Sequence, residues 1–334
     1  MPMPDSTPRV SVIIPNWNGA RWLPGCLSGL ARQTFRDFEI VIVDNGSTDD
    51  SINLIRKTCA TARVVPLPSN CGFAVACNRG LAESRGAHIV LLNNDTVPQP
   101  EWLANLVRAI DRNPPEVCAV TSLMLDMENP ELIENAGVAL HWDGLDQKIG
   151  FRRSPTEFDQ PRDVFAASAG AAIYRRGFLE ELGGFDEKFV MYLEDVDLCL
   201  RGRILGYRCV LEPSAIVLHH GHGSGLPTAR YVRLITRNRL LMLLKNIPLA
   251  LRWRHAGKLL YGQWYFCLAQ GRPLASLLGC LGFLALIPYA IGERRKLWRN
   301  AKISAEDLDR MLPSDSGLPP LRAAIRKRLG GKTP

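Results

Sequence analysis

Short, almost unbroken apolar runs recur through the first two thirds of this chain, and several of them stop at amides, carboxylates or imidazoles. Val10 to Ile14 runs into Pro15-Asn16-Trp17-Asn18-Gly19, and Glu39 to Val43 into the polar segment Asp44 to Asp49. His88 to Leu92 runs into Asn93-Asn94-Asp95, and Ala215 to Leu218 into His219-His220-Gly221-His222. A run that lacks polar alternation predicts a strand buried on both faces. Leu23, Leu27 and Leu30 stand at helical spacing within 20–33, and further helices are predicted through about Cys59, Glu83 and Ile110. Ser47 or Thr48 is placed to cap the second of these. Strands alternating with helices give an α/β class with a mostly parallel sheet flanked by helices. In such sheets ligands bind beyond the carboxyl ends of the strands, so the convergence of polar groups there marks a site.

The same turns exclude two common nucleotide folds. The first strand is followed by PNWNGA rather than GxGxxG, and no GxxxxGK[ST] occurs. A diphosphate bound here therefore needs a cation, and Asp95 is the carboxylate placed to hold one. The nine cysteines include no CxxC pair, which argues against a zinc ribbon or a disulfide framework and fits a reducing cytosol. The N-terminus lacks a basic-then-apolar export signal, so a cytoplasmic location is expected.

Residues 125–165 are polar and irregular, and predict loops and short strands. Beyond them Ala169 to Tyr174 leads to a short helix ending at Gly183-Gly184, and then to FDEKFVMYLEDVDLCLR. A helix over 193–204 makes Asp197 and Arg201 an i,i+4 pair of structural kind. It also puts Glu194 and Asp195 in the first turn, where carboxylates stabilise a helix whether or not they do chemistry. One of the clustered histidines His219, His220 and His222 is a candidate metal ligand beside Asp95.

From Leu226 onward the chain carries 20 Lys and Arg against 5 Asp and Glu, whereas the preceding residues are slightly acidic. A near-neutral domain (residues 1–225) followed by a basic, partly apolar helical extension (226–334) points to an anionic surface as partner. Leu274 to Ile291 is an 18-residue stretch without charge. As one helix it falls just short of a bilayer's hydrocarbon core, and Gly279, Gly282 and Pro288 weaken it as a span. A span, a buried hairpin and an interfacial element anchored by Trp298 and its basic neighbours are the three readings. Basic residues interleaved with apolar helices carry no nucleic-acid-binding motif.

Six segments in order, VSVIIPNWNG, FEIVIVDNGSTDDS, NCGFAVACNRGL, IVLLNNDTVPQPEWL, GGFDEKFVMYLEDVDLCLRGRILGY and AIVLHHGHGS, resemble family 2 glycosyltransferases of the GT-A fold, in the rhamnosyltransferase-like branch. The resemblance covers about residues 9–225. It implies an enzyme that moves a sugar, rhamnose being the first expectation, from a nucleotide diphosphate donor to a glycan or polyprenyl-diphosphate-linked acceptor in cell-surface polysaccharide synthesis. Pro15, Asn16, Trp17, Asp44, Asn70, Gly72, Asn78 and Asn94 would then border the donor nucleotide. Asp95, with His219 or His222, would bind Mg²⁺ or Mn²⁺. Asn93 stands where a first acidic residue is usual. Asp195 matches the catalytic base, with Glu194 beside it, and direct displacement would invert the anomeric centre. Such an enzyme would sit peripherally on the inner face of the cell membrane. The alternatives are a sugar nucleotidyltransferase, which would need a glycine-rich basic loop after the first strand, and a non-catalytic scaffold for glycan assembly on the membrane.

Overall fold

The computed structural model describes residues 7–221, 227–314 and 319–329. Five strands and four helices open the chain: β1 (Val10–Asn16), α1 (Leu23–Ala31), β2 (Phe38–Asp44), α2 (Ser51–Thr58), β3 (Arg63–Pro66), α3 (Phe73–Glu83), β4 (His88–Leu92), β5 (Thr96–Pro98) and α4 (Trp102–Arg112). The next stretch holds β6 (Val117–Asp126), β7 (Ile133–Asn135), the hairpin strands β8 (Val138–Leu140) and β9 (Asp146–Lys148), and β10 (Arg162–Val164). Then follow β11 (Ala171–Arg175), α5 (Arg176–Glu181), α6 (Glu194–Ile204) and β12 (Arg208–His219).

The main sheet runs in the order β10-β12-β6-β11-β4-β1-β2-β3. Pairings among β3, β2, β1 and β4 are parallel, as is β12 with β6. β11 enters between β4 and β6 and is antiparallel to both. Its five residues are too short and too ordinary in composition for orientation to be read from sequence. The apolar strands are buried as expected, with Ile13, Ile14, Ile42, Ile89 and Val90 fully enclosed. The amphipathic α4 buries Trp102, Leu103, Leu106, Val107 and Ile110 at helical spacing, and the Trp102 indole donates to Ser122. Burying such a side chain contributes about 1.5–3 kcal/mol.

The predicted cap of α2 is not formed. Asp50 occupies that position without a side-chain capping bond, its Oδ1 accepting from Asn53 Nδ2 instead, and the Ser47 hydroxyl accepts from the Asn16 side chain and the Asn18 backbone amide.

Contacts divide the chain into two compact units, the second comprising Ala139–Gln147, Arg203–Gly206 and the chain from Ser224 on. Its helices are α7 (Thr228–Asn246), α8 (Leu249–Arg254), α9 (Ala256–Gln270), α10 (Pro273–Leu284), α11 (Ile287–Arg299), α12 (Ala305–Met311) and α13 (Leu321–Leu329). Arg239 is buried in it, donating to the carbonyls of Gly144 and Asp143, with burial lowering its guanidinium to about 10.

The apolar stretch is not one helix. It breaks after Leu284, and Pro288 sits in the first turn of α11, where its missing N–H and fixed φ are tolerated. Among the described residues no single helix is long and apolar enough to cross a membrane, and α10 and α11 qualify only as a pair bent by 62°. Trp298 is not an exposed anchor either, since its indole donates to the Asn246 carbonyl. The exposed tryptophans of the second unit are Trp253 and Trp264, at 74% and 65%.

Candidate active site

The parallel register brings Asn16 opposite Asp44. The Asn16 amide donates to Asp44 Oδ1 at 3.1 Å, and its oxygen accepts from Asn94 Nδ2 at 2.8 Å. A relay, buried at Asp44 and Asn16 and half-buried at Asn94, thus crosses from the end of β2 through β1 to the residue preceding Asp95. Gly19 is required beside it, because a Cβ there would stand 2.1 Å from Asn16 Oδ1 and 2.2 Å from Asn94 Nδ2. Trp17 projects outward at 38% exposure, and Pro15 is half-buried.

The remaining expected nucleotide residues build the wall of this end. Asn70 Oδ1 accepts from Asn45 Nδ2 and from the Gly72 amide. Gly72 has φ +99°, and a Cβ would meet the Val190 carbonyl at 2.5 Å. The Asn78 amide is committed to the loop before α6, bonding Phe185 N, Phe185 O and Glu187. Its geometry is that of a clamp on that loop. Asn45 was not singled out by its sequence, yet it is buried and ties Cys71, Gly72 and Asn70 to the end of β2.

At the other side Asp95 and His219 meet. Strand β5 pairs with β12 in antiparallel register, which puts Thr96 opposite His219. His219 Nε2 lies 3.3 Å from Asp95 Oδ1, and its Nδ1 lies 3.2 Å from Glu134 Oε2. The second contact is at ion-pair distance but off the line of a good hydrogen bond. Glu134 also pairs with Lys148. Burial alone would push the imidazole down, but the two carboxylates outweigh it and raise His219 to about 9. Burial would raise Glu134, and His219 and Lys148 overcome it to hold the carboxyl at about 2. No sequence signal marked Glu134, which falls in the irregular middle. His222 lies outside the described residues.

A separation of 3.3 Å is close to that of two neighbouring ligands on one small divalent cation. Among the described residues no group of three His, Cys, Asp or Glu side chains forms a ready-made cage. The donor set therefore fits a cation completed by phosphate oxygens and water, the usual manner for Mg²⁺.

Asp195 opens α6 after a run of positive φ at Val190, Tyr192 and Leu193, a strained entry of the kind found at functional sites. Its Oδ2 accepts from the Ala169 amide at 3.1 Å, and the Gly170 carbonyl next along accepts from the Asn93 amide at 2.8 Å. The same turn thus holds Asp195 and the residues leading to Asp95. Glu194 is buried, and desolvation followed by the neighbouring Asp195 and Asp197 raises its carboxyl to about 8. Asp197 and Arg201 form a buried ion pair at 2.9 Å, with Arg201 also holding the Leu182 and Gly184 carbonyls.

Comparison with known proteins fits this arrangement. The chain is 30% identical over 242 residues to the O-antigen biosynthesis protein RfbC of Myxococcus xanthus, covering 67% of this chain and 18% of that protein. It is 29% identical over 254 residues to an N-acetylglucosaminyl-diphospho-decaprenol L-rhamnosyltransferase of Mycobacterium tuberculosis, covering 69% of this chain and 81% of that one. The crystal structure of GalNAc-T7 with UDP, GalNAc and Mn²⁺ superposes with a TM-score of 0.65 at 18% identity, over 90% of this chain and 56% of that one, which establishes the GT-A architecture. The model of glycosyl transferase family 2 matches residues 11–183, more than half of the chain, and the protein belongs to that family.

Proposed function

We propose that the chain transfers a sugar from a nucleoside diphosphate donor to an acceptor hydroxyl, with inversion and with help from Mg²⁺ or Mn²⁺. The observation that carries this reading is the single turn at Ala169-Gly170, which ties Asp195 to the strand end bearing Asp95. Donor nucleotide is held along the relay of Asp44, Asn16 and Asn94, with Trp17 exposed beside it. Asp95 Oδ1 and His219 Nε2 supply two ligands to the cation. Glu134 orients the imidazole from behind, as a carboxylate commonly does for a ligating histidine. When bound, the cation neutralises charge developing on the departing diphosphate.

Asp195 takes the acceptor proton as the hydroxyl attacks, since an alcohol is too weak an acid to lose it unaided. The two backbone amides of Ala169 and Val196 fix the carboxylate's orientation. Glu194 next to it stays protonated at neutral pH, so the pair carries one negative charge rather than two.

The resemblance to a decaprenyl-diphosphate-linked rhamnosyltransferase and an O-antigen protein supports a rhamnose donor and a polyprenyl-linked or glycan acceptor in polysaccharide synthesis. The basic second unit supports a peripheral seat on an anionic membrane face, the cytoplasmic one.

Incubation with a panel of nucleotide sugars, with and without Mn²⁺, tests the reaction. Release of a nucleoside diphosphate from one donor, abolished by chelation, is expected. Absence of binding and turnover for every donor would remove the proposal.

A further inference from the structure

Helix α10 is amphipathic in the inverted sense. It buries Ala275, Ser276 and Gly279 against α7, and turns Leu274, Leu277, Leu278, Leu281 and Leu284 to solvent. Leu274 is 68% exposed. A soluble helix that presents its leucines at i, i+3, i+4, i+7 and i+10 to water forgoes the burial that normally holds it down. Helix α9 does the same with Leu260, Tyr261, Trp264 and Leu268.

The leucine stripe leads into a groove of about 630 Å³ between α7 and the start of α10. Leu274, Leu278, Ala275 and Pro273 give it an apolar floor, and Arg230, Arg233 and Arg272 stand along it. Among the described residues none of these arginines has a carboxylate partner within ion-pair distance. From Pro227 to Gly292 the sequence has nine Lys and Arg and no Asp or Glu. A second copy of this face would meet like charge, whereas an anionic amphiphile matches both the arginines and the leucines.

We infer that this groove seats the phosphate headgroup of an anionic membrane lipid, with the α10 leucines entering the acyl layer. The inference rests on the peripheral-membrane part of the reading above and gives it an address. The guanidinium groups bind phosphate oxygens in a planar fork, and the leucines contribute apolar burial. Neither contribution alone anchors a protein firmly, which is why both occur on one face.

Flotation of the full chain with phosphatidylcholine vesicles, with and without phosphatidylglycerol, tests it. The protein should float with the anionic vesicles and be released by salt. Replacing Arg230, Arg233 and Arg272 together by Gln should weaken that binding on the order of 100-fold, at about fivefold per charge near the surface. Leu277→Ser with Leu281→Ser should weaken it at least about tenfold. Arg56→Gln, exposed in the first unit, should leave it unchanged. All these positions are exposed, and thermal melts check that the variants fold. Wild-type flotation with an unaffected arginine variant overturns the groove and leaves the membrane reading standing. Equal flotation on neutral vesicles also overturns it. So does failure to float combined with a dimer, seen in sedimentation velocity, that the leucine variant dissociates. Nucleotide-sugar turnover measured on the same samples is independent, so the reaction and the groove fail separately.

Discussion

Nδ1 of His219 faces Oε2 of Glu134 at 3.2 Å, on the side of the ring opposite Asp95. A carboxylate there keeps a proton on Nδ1, so that a cation binding at Nε2 has only the Nε2 proton to displace. Glu134→Gln should therefore weaken Mn²⁺-dependent nucleotide binding about 10–100-fold while the fold persists. Calorimetric titration of Mn²⁺ with the cognate nucleoside diphosphate reads this directly. An unchanged affinity means the carboxylate does not orient the ring. Asp95→Asn should give a loss at least as large, and in the absence of metal the two variants should resemble wild type.

Asp195→Asn keeps the shape of the proposed base and an oxygen that can accept from one of the two backbone amides, while its NH2 group cannot accept from the other. Donor affinity should stay near normal while kcat falls by about 10²–10⁴-fold. A preserved kcat in single-turnover assays would end the assignment.

Glu194 predicts a pH signature in stability. Its carboxyl is raised from an ordinary value of 4.5 to about 8 in the folded chain. Between those values the unfolded chain has released the proton and the folded chain retains it, so the contribution to stability falls as pH rises and is lost above about 8. Glu194→Gln, which mimics the protonated acid, should not show this decline. The melting temperature of wild type minus that of the variant should drop from about pH 5 to about pH 8 and then level. A flat difference would show that Glu194 is charged throughout.

Arg201→Met leaves Asp197 buried without its cation and frees the Leu182 and Gly184 carbonyls. The expected loss is about 3–5 kcal/mol in denaturant unfolding. Replacing Asp197 and Arg201 together by apolar residues should recover part of it, because no lone charge remains buried.

The strands and their polar ends were legible because buried parallel strands carry continuous apolar runs, and because Asn16, Asp44, Asn94 and Asp95 interrupt them at one end. Glu134 was not, since its neighbours Ile133 and Asn135 form a strand of three residues with no period to read. The insertion of β11 was equally hidden, as orientation depends on pairing with β4 and β6 rather than on composition. In the second unit the apolar stretch gave away its content but not its course. Pro288 signalled a break, while the outward turn of the α10 leucines follows from small residues on the opposite face packing against α7.

Because β11 runs against its neighbours, its entry turn at Ala169-Gly170 lies at the same edge as the exits of the parallel strands. The proposed base is therefore registered to the end of β4 through the Ala169 amide and the hydrogen-bond ladder of the sheet. Specificity for different sugars and acceptors can then change in the surrounding loops without disturbing that registration.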